Sequence, residues 1–204
     1  MPRAATDGSK RKEILDAAAQ ILIKEGEPEL TIRRLAREVG TSTMAVYTWF
    51  GGKPELMRAL YREAFGRFGA RLRSVRRSDD PVADLVALAS AYRRYALSEP
   101  ALYEVMFGRA AAHFAPDKDD VALALSTFQI LVDHIARVAE IEPLWCSPGL
   151  AASQVWAAIH GAVSIELIER SSPHARTSRP APLARPNATY DALLRTLTTG
   201  LHAR

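Results

Sequence analysis

The stretch Thr31–Phe50, TIRRLAREVGTSTMAVYTWF, constrains this chain more than any other. Ile32, Leu35, Ala36 and Val39 fall on one helical face. Ala36 is small where two helices must cross closely. Gly40 supplies a left-handed turn residue, a conformation that a residue with a Cβ adopts only at a cost. Ser42 is a good N-cap for a second helix. That helix carries Ala45, Val46 and Phe50 inward, with Val46 filling the gap between the two helices. This is the steric requirement of a helix-turn-helix, whose second helix lies in the major groove of DNA. A hairpin in the core of another all-α protein satisfies the same three positions. The flanking side chains favour DNA. Thr41, Ser42, Thr43, Met44, Tyr47, Thr48 and Trp49 are short polar or amphipathic, none is acidic, and such groups suit phosphates and groove edges.

Charge supports the same division. Residues 1–77 hold 16 Lys and Arg against 9 Asp and Glu, whereas residues 78–204 hold 11 against 14. A basic first part joined to a mildly acidic remainder points to a polyanion partner for the first part alone. Ala and Leu dominate a chain that is 48% hydrophobic, and alternating β-branched runs are scarce, so the expected class is all-α. Cys146 is the single cysteine, which excludes an intrachain disulfide and suits a reducing compartment. No run reaches the roughly 18 consecutive apolar residues of a membrane span, and the N-terminus lacks an apolar signal core. A cytoplasmic protein with no membrane partner is expected.

Read in order, residues 1–8 form an expected disordered arm. A helix begins at Ser9, with Ile14, Ala17, Ala18, Ile21 and Leu22 on its apolar face, and ends at Gly26 and Pro28. Its cluster Lys10-Arg11-Lys12 fits either a nearby phosphate backbone or a solvated terminus. After the two-helix unit, Gly51 and Gly52 break the chain, and Pro54 and Glu55 open a long helix reaching about Val75. Lys53, beside the free N–H groups of that helix start, makes a phosphate site. The expected boundaries are a DNA-binding part over 1–52, a connecting helix over 53–77 and a body over 78–204.

In the body, Pro81 opens one helix and Glu99-Pro100 stops it. Leu102–Phe107 forms a short one. The next begins after Ala115-Pro116-Asp117, where Asp119 and Asp120 read as dipole-complementing residues rather than a metal site. Ser147-Pro148 starts a helix to about Arg170 that is apolar nearly all round, as a buried or partner-covered helix is. A linker with Pro173, Pro180, Pro182 and Pro186 follows, and Asn187 is the expected cap of a final leucine-striped helix. That last helix needs a surface to dock on, which a symmetric dimer supplies.

Residues 10–60 resemble the DNA-binding domain of the TetR family of bacterial transcription regulators. The likeness rests on Ile14, Ala17, Ala18, Gly26, Thr31, Ile32, Leu35, Ala36, Val39, Gly40, Ser42, Val46, Tyr47, Phe50, Lys53 and Leu56. It implies a three-helix DNA-binding head, a helical ligand-binding and dimerisation body, about nine helices in all, and a homodimer through the last two helices. It also implies that Thr31, Tyr47 and Lys53 hold phosphates while Ser42, Thr43, Met44 and Thr48 lie against base edges. Threonine and methionine methyls can meet thymine there. Met44 and Trp49 stand where the family often has glycine and histidine, a departure that bears on the base sequence and not on the fold. Trp156-x3-His160-Gly161 and Glu99-Pro100-x-Leu102-Tyr103-x3-Phe107 are similar to the C-terminal domain of one subgroup with a Trp–His–Gly signature. In physical terms Gly161 lets another helix approach closely, and His160 can hydrogen-bond in an apolar interior.

Tyr92, Tyr95, Tyr103, Met106, Phe107, Phe128, Trp156 and His160 form the candidate effector site, an apolar set with a few polar tips. Ordinary core packing accounts for the same residues. His113, His134, His160, His174 and His202 lack metal-ligand spacing, and neither a metal nor a cofactor is expected. Catalysis has no support, for the chain carries no phosphate loop after a strand, no paired-carboxylate motif and no nucleophile with a nearby base. The expected function is a homodimeric repressor on a near-palindromic duplex operator, released by a small hydrophobic ligand. The alternative is a constitutive DNA-binding regulator whose body only dimerises.

Overall fold

Helix α1 runs Arg3–Glu25, α2 Ile32–Glu38, α3 Thr43–Phe50, α4 Lys53–Arg73, α5 Pro81–Ser98, α6 Pro100–Phe107, α7 Lys118–Ala139, α8 Pro148–Ser171 and α9 Pro186–Gly200. This computed structural model describes residues 3–108, 114–171 and 185–201, with side chains from residue 8 onward. There is no strand among them, so the class is all-α. Pro173, Pro180 and Pro182 of the expected linker lie outside the described residues, as do His113, His174 and His202. The chain divides into two compact units, residues 1–68 with 99–124, and residues 69–98 with 125–204.

In the first unit α1 starts at Arg3, six residues before the expected Ser9. Ala4 and Ala5 are strong helix formers, and Gly8 weakens a helix without stopping it. Ile14, Leu15, Ala18, Ala19, Ile21 and Leu22 form its buried face. Gly26, with φ at 88°, ends it. On α4, Leu56, Leu60 and Ala64 have no exposure at all, which is the expected stripe. Helix α6 packs against α1 and buries Ala101, Leu102, Tyr103, Val105 and Met106. An aromatic cluster fills the space beside it. Tyr61 contacts Phe65 and Phe114 at 4.7 and 5.0 Å between ring centroids, and Phe107 contacts Tyr103 at 5.1 Å.

The acidic turn before α7 is a helix cap. The Asp117 carboxylate accepts from the amides of Asp119 and Asp120 at 3.0 and 2.9 Å, and Asp120 accepts from the Asp117 amide at 3.0 Å. Asp120 is fully buried and bound by Arg58 and Arg62 of α4. Burial pushes its carboxyl up, but the bonds from Arg62, the Asp117 amide and Arg58 outweigh that and hold it below the usual carboxylate range. Among the described residues no group of His, Cys, Asp or Glu is arranged for a metal ion.

The second unit is held by two polar clusters. Asp84 of α5 accepts from the Ser78 amide, the Ser78 hydroxyl and Arg137 of α7 at 2.8, 2.7 and 2.6 Å. Arg93 of α5 forks onto Glu166 of α8 at 2.7 and 2.8 Å. The same guanidinium donates to Asn187 of α9 at 2.7 Å and lies 5.2 Å from the centre of the Tyr190 ring. The Tyr190 hydroxyl donates to the Ala89 carbonyl at 2.8 Å. Asn187 is therefore not the cap of the last helix. Arg185 holds the cap position, and Pro186 takes the first helical position, where its missing N–H costs nothing.

By length and composition α7 and α8 are apolar enough to cross a membrane, which a count of uninterrupted apolar residues overlooks. Each carries buried polar groups that bond within the protein, with the second ring nitrogen of His134, Nε2, buried without a partner. The His134 ring bonds the Ile130 carbonyl at 2.8 Å, and Glu166 meets Arg93 and Arg170. About a third or less of each apolar window is buried within this chain.

Arg137 and the Ser78 amide and hydroxyl lower the Asp84 carboxyl to about 2. A carboxyl depressed in the folded state stabilises it above the unfolded value near 4, and that contribution is lost as pH falls from about 4 to about 2. We expect Asp84→Asn to lower the melting temperature at neutral pH and to flatten its fall over that acid range. Circular dichroism melts of both proteins across the range check this.

Candidate nucleic-acid interface

The interface is built by three local signals. The Thr31 hydroxyl oxygen caps α2 by accepting from the Arg34 amide at 3.1 Å. Val39 and Gly40 then close α2. Gly40 has φ at 62°, the Thr41 amide donates to the Ala36 carbonyl at 2.9 Å, and the Gly40 amide donates to Arg37 at 3.4 Å. This paired closure satisfies carbonyls that the helix end leaves open. The Ser42 oxygen caps α3 by accepting from the Ala45 amide at 3.1 Å. Helix α3 stops at Gly51, whose φ of 82° few other residues tolerate.

Packing sorts the side chains of α3. Val46 has no exposure and Phe50 has 6%, while α2 presents the buried Leu35 and Ala36. Arg11 of α1 lies over the Phe50 ring, 5.4 Å from its centre. On the outer side, Met44 is 73% and Tyr47 50% exposed. Thr43 and Thr48 are exposed as well, and Thr41 and Trp49 are half-buried. The Thr48 hydroxyl donates to the Met44 carbonyl at 2.9 Å. Thr31 and Ser42 are exposed, and although their oxygens accept from cap amides, each hydroxyl keeps a proton to donate outward.

The cations behave less simply. Lys53 donates to the Glu27 carbonyl at 2.8 Å and lies 3.5 Å from that residue's carboxylate. It ties the loop after α1 to the start of α4, with further ammonium protons left over. Lys10 donates to the Val39 carbonyl at 2.7 Å, at the C-terminal end of α2, where a cation meets the dipole favourably. The basic cluster of α1 thus has tasks inside the protein that sequence reading did not foresee. Arg34 forks onto Glu25 at 2.8 and 2.7 Å, and that bond lowers the Glu25 carboxyl. Arg33 and Arg37 are exposed and lie four residues apart on α2, the helix that crosses the phosphate backbone in a helix-turn-helix. Their signal was present as two arginines off the apolar positions.

The eight candidate effector residues fall in both units. Tyr103, Met106 and Phe107 belong to the first. In the second, the Tyr92 hydroxyl lies 2.9 Å from His160 Nδ1, Trp156 lies 5.3 Å from the His160 ring, and Phe128 meets Trp156 edge-on at 6.5 Å. Tyr95 is buried in the same unit. Burial pushes the His160 imidazole below its ordinary value, which favours the neutral ring at physiological pH. A separate groove of about 430 Å³ lies between α8 and α9, lined by Ala158, Gly161, Ala162, Ile165, Tyr190 and Leu193 among others. None of the eight lines it. Gly161 admits no close helix from this chain: a Cβ there would meet nothing within 4 Å.

Residues 14–60 match the family model for bacterial regulatory proteins of the tetR family, and residues 85–197 match that for the tetracyclin repressor-like C-terminal domain. The HTH-type transcriptional regulator Rv1816 of Mycobacterium tuberculosis is 25% identical over 187 residues, spanning 76% of this chain and 79% of the relative. A TetR family transcription regulator from Marinobacter aquaeolei VT8 superposes with a TM-score of 0.76 at 13% identity, covering 98% of this chain and 100% of the other. FadR from Bacillus subtilis, whose crystal structure is of a complex with stearoyl-CoA, superposes with a TM-score of 0.72 at 15% identity, covering 94% and 99%. These two likenesses show the fold.

Gly40 isolates the strain of the turn, because a Cβ there would meet nothing within 4 Å. Gly40→Ala is expected to cost about 1 kcal/mol from the left-handed conformation alone. Gly40→Asn is expected to cost less, since asparagine tolerates that region. Urea unfolding of the three proteins measures the difference.

Proposed function

Because the chain belongs to the TetR family, whose members are DNA-binding transcription regulators and not enzymes, we propose that it is a homodimeric repressor released from its operator by a small hydrophobic ligand. The observation that carries the reading is the sorting of α3, with Val46 and Phe50 inside and Thr43, Met44, Tyr47 and Thr48 outside. In this reading residues 1–52 bind DNA, 53–77 connect, and 78–204 bind the effector and dimerise. Thr31, Tyr47 and Lys53 donate to phosphates, while Ser42, Thr43, Met44 and Thr48 face base edges. In this reading the protein acts in the cytoplasm.

The dimer rests on α8 and α9. Helix α8 leaves Ile165 and Ile168 49% and 65% exposed, beside the groove of small side chains around Gly161. A second copy would cover that face and set two recognition helices about 34 Å apart, in successive major grooves of a near-palindromic site. The likeness of Trp156, His160 and Gly161 to the Trp–His–Gly subgroup belongs to the same reading.

For the effector, the Tyr92–His160 pair with Trp156 and Phe128 supplies a polar anchor among rings. A ligand that favours one state of the body and an operator that favours another must weaken each other's binding by the same factor. A second reading is favoured by the Tyr92 hydroxyl already having a partner in His160, as in an ordinary core. There the body only dimerises and the protein is a constitutive regulator. A thermal shift screen that includes long-chain acyl-CoA separates the two, since a ligand of the folded state raises the melting temperature.

DNA binding is tested by fluorescence anisotropy on genomic fragments at physiological salt. We expect a sequence preference there, and its absence defeats the reading. Tyr47→Phe removes one exposed hydroxyl. It should leave stability within about 0.5 kcal/mol and weaken operator binding by about fivefold to tenfold. Ile168→Glu places a charge on the exposed face of α8. It is expected to give monomers in analytical ultracentrifugation and to weaken operator binding by about a hundredfold or more, as loss of one half-site contact would.

A further inference from the structure

Helix α3, Thr43–Phe50, contains no Arg, Lys, Asn, Gln, Asp or Glu. Those side chains recognise guanine and adenine by paired hydrogen bonds, or accept from the amino group of cytosine. Nor do three cations of the surrounding structure stand ready in their place. Lys10, Arg34 and Lys53 are engaged with the Val39 carbonyl, the Glu25 carboxylate and the Glu27 carbonyl.

What α3 holds outward is apolar at its tips. Met44 is 73% exposed, more than any other large hydrophobic side chain described. Thr48 is exposed, but its one hydroxyl proton goes to the Met44 carbonyl, which leaves a methyl group and an oxygen that can only accept. Thr43 adds a second methyl and Tyr47 a half-exposed ring. In the major groove the apolar feature of a base pair is the C5 methyl of thymine.

We infer that this helix reads its operator chiefly through C5 methyl groups, with Met44 and Thr48 as the specificity-determining pair. The inference rests on the DNA-binding reading above and adds the chemistry of the half-site. The operator places thymines opposite these two side chains, and the protein senses loss of a methyl group where other recognition helices sense loss of a hydrogen bond.

The test begins with selection of bound duplexes from a random pool by the full chain. Each thymine of the selected half-site is then replaced by uracil, which removes the methyl and keeps every base-pair hydrogen bond. One or two positions per half-site are expected to lose about fourfold in affinity, the effect of uncovering one buried methyl-sized group. Cytosine at those positions binds weakly, and 5-methylcytosine recovers part of the loss. Met44→Ala, at an exposed position, abolishes the discrimination between thymine and uracil at one of them without lowering the melting temperature. If uracil duplexes bind as tightly as thymine duplexes at every position while sequence preference persists, the methyl reading is overturned and DNA binding stands. If no sequence preference is found at all, both fall.

Discussion

Val46 has no contact with solvent, and the outward face of α3 exists because of it. A helix of eight residues, Thr43–Phe50, is too short to hold itself. Its two buried residues, Val46 and Phe50, lie four apart and fix its rotation about its own axis. Once those two point inward, Met44 and Thr48 lie on the opposite side and Tyr47 on the flank, while Thr43, three residues before Val46, is exposed at the first position of the helix. Gly40 sets the angle between α2 and α3, since its left-handed backbone reverses the chain within a few residues. Caps at Thr31 and Ser42 satisfy the amides that two short helices would otherwise leave open. The recognition surface therefore follows from a handful of short-range constraints rather than from a large core.

That origin explains what could be read from residues alone. Thr31, Gly40, Ser42, Gly51 and Pro100 act on their immediate neighbours, so residue type and position sufficed to place the helix ends. The apolar stripe on α4 from Leu56 to Leu72 has a single period and is equally legible. What went unread has its partner distant in sequence. The internal bonds of Lys10 and Lys53 were not foreseen because their carbonyl partners lie 29 and 26 residues away. Asn187 read as a cap because nothing local announces that Arg93, 94 residues earlier, takes its carbonyl oxygen. The start of α1 was missed for a different reason. A glycine at position 8 weakens a helix by only about 1 kcal/mol, which good helix formers on either side can offset.

The candidate effector site illustrates the limit most clearly. Aromatic residues at helical spacing mark an interior, and only the fold tells which of them meet. Tyr92, His160, Trp156 and Phe128 do meet, through one hydrogen bond and two ring contacts. Tyr103 and Phe107 meet each other in the first unit, together with Tyr61, Phe65 and Phe114, which form a cluster of their own. Sequence distance gave no warning of that split, since Tyr95 and Tyr103 are only eight residues apart.

Helix α8 poses the opposite problem from α3. It is apolar nearly all round, so hydrophobic burial does not choose which side faces in. The choice falls to charge. Glu166 is 5% exposed and is held by the planar fork of Arg93, with Arg170 four residues on. Burial alone would raise the Glu166 carboxyl, and the Arg93 and Arg170 bonds outweigh it, so the group stays ionised and stays bound. A buried pair of this kind adds little net stability over apolar residues of the same shape, but breaking one side of it is costly. Its effect here is orientation. With Glu166 turned to Arg93, Ile165 and Ile168 are carried to the outside, next to the groove lined by Gly161 and Ala162. Arg93 also takes the Asn187 side chain and lies over Tyr190, so the same guanidinium seats α9 beside that face. One cation thus decides which surface of two helices is left for a second molecule to cover.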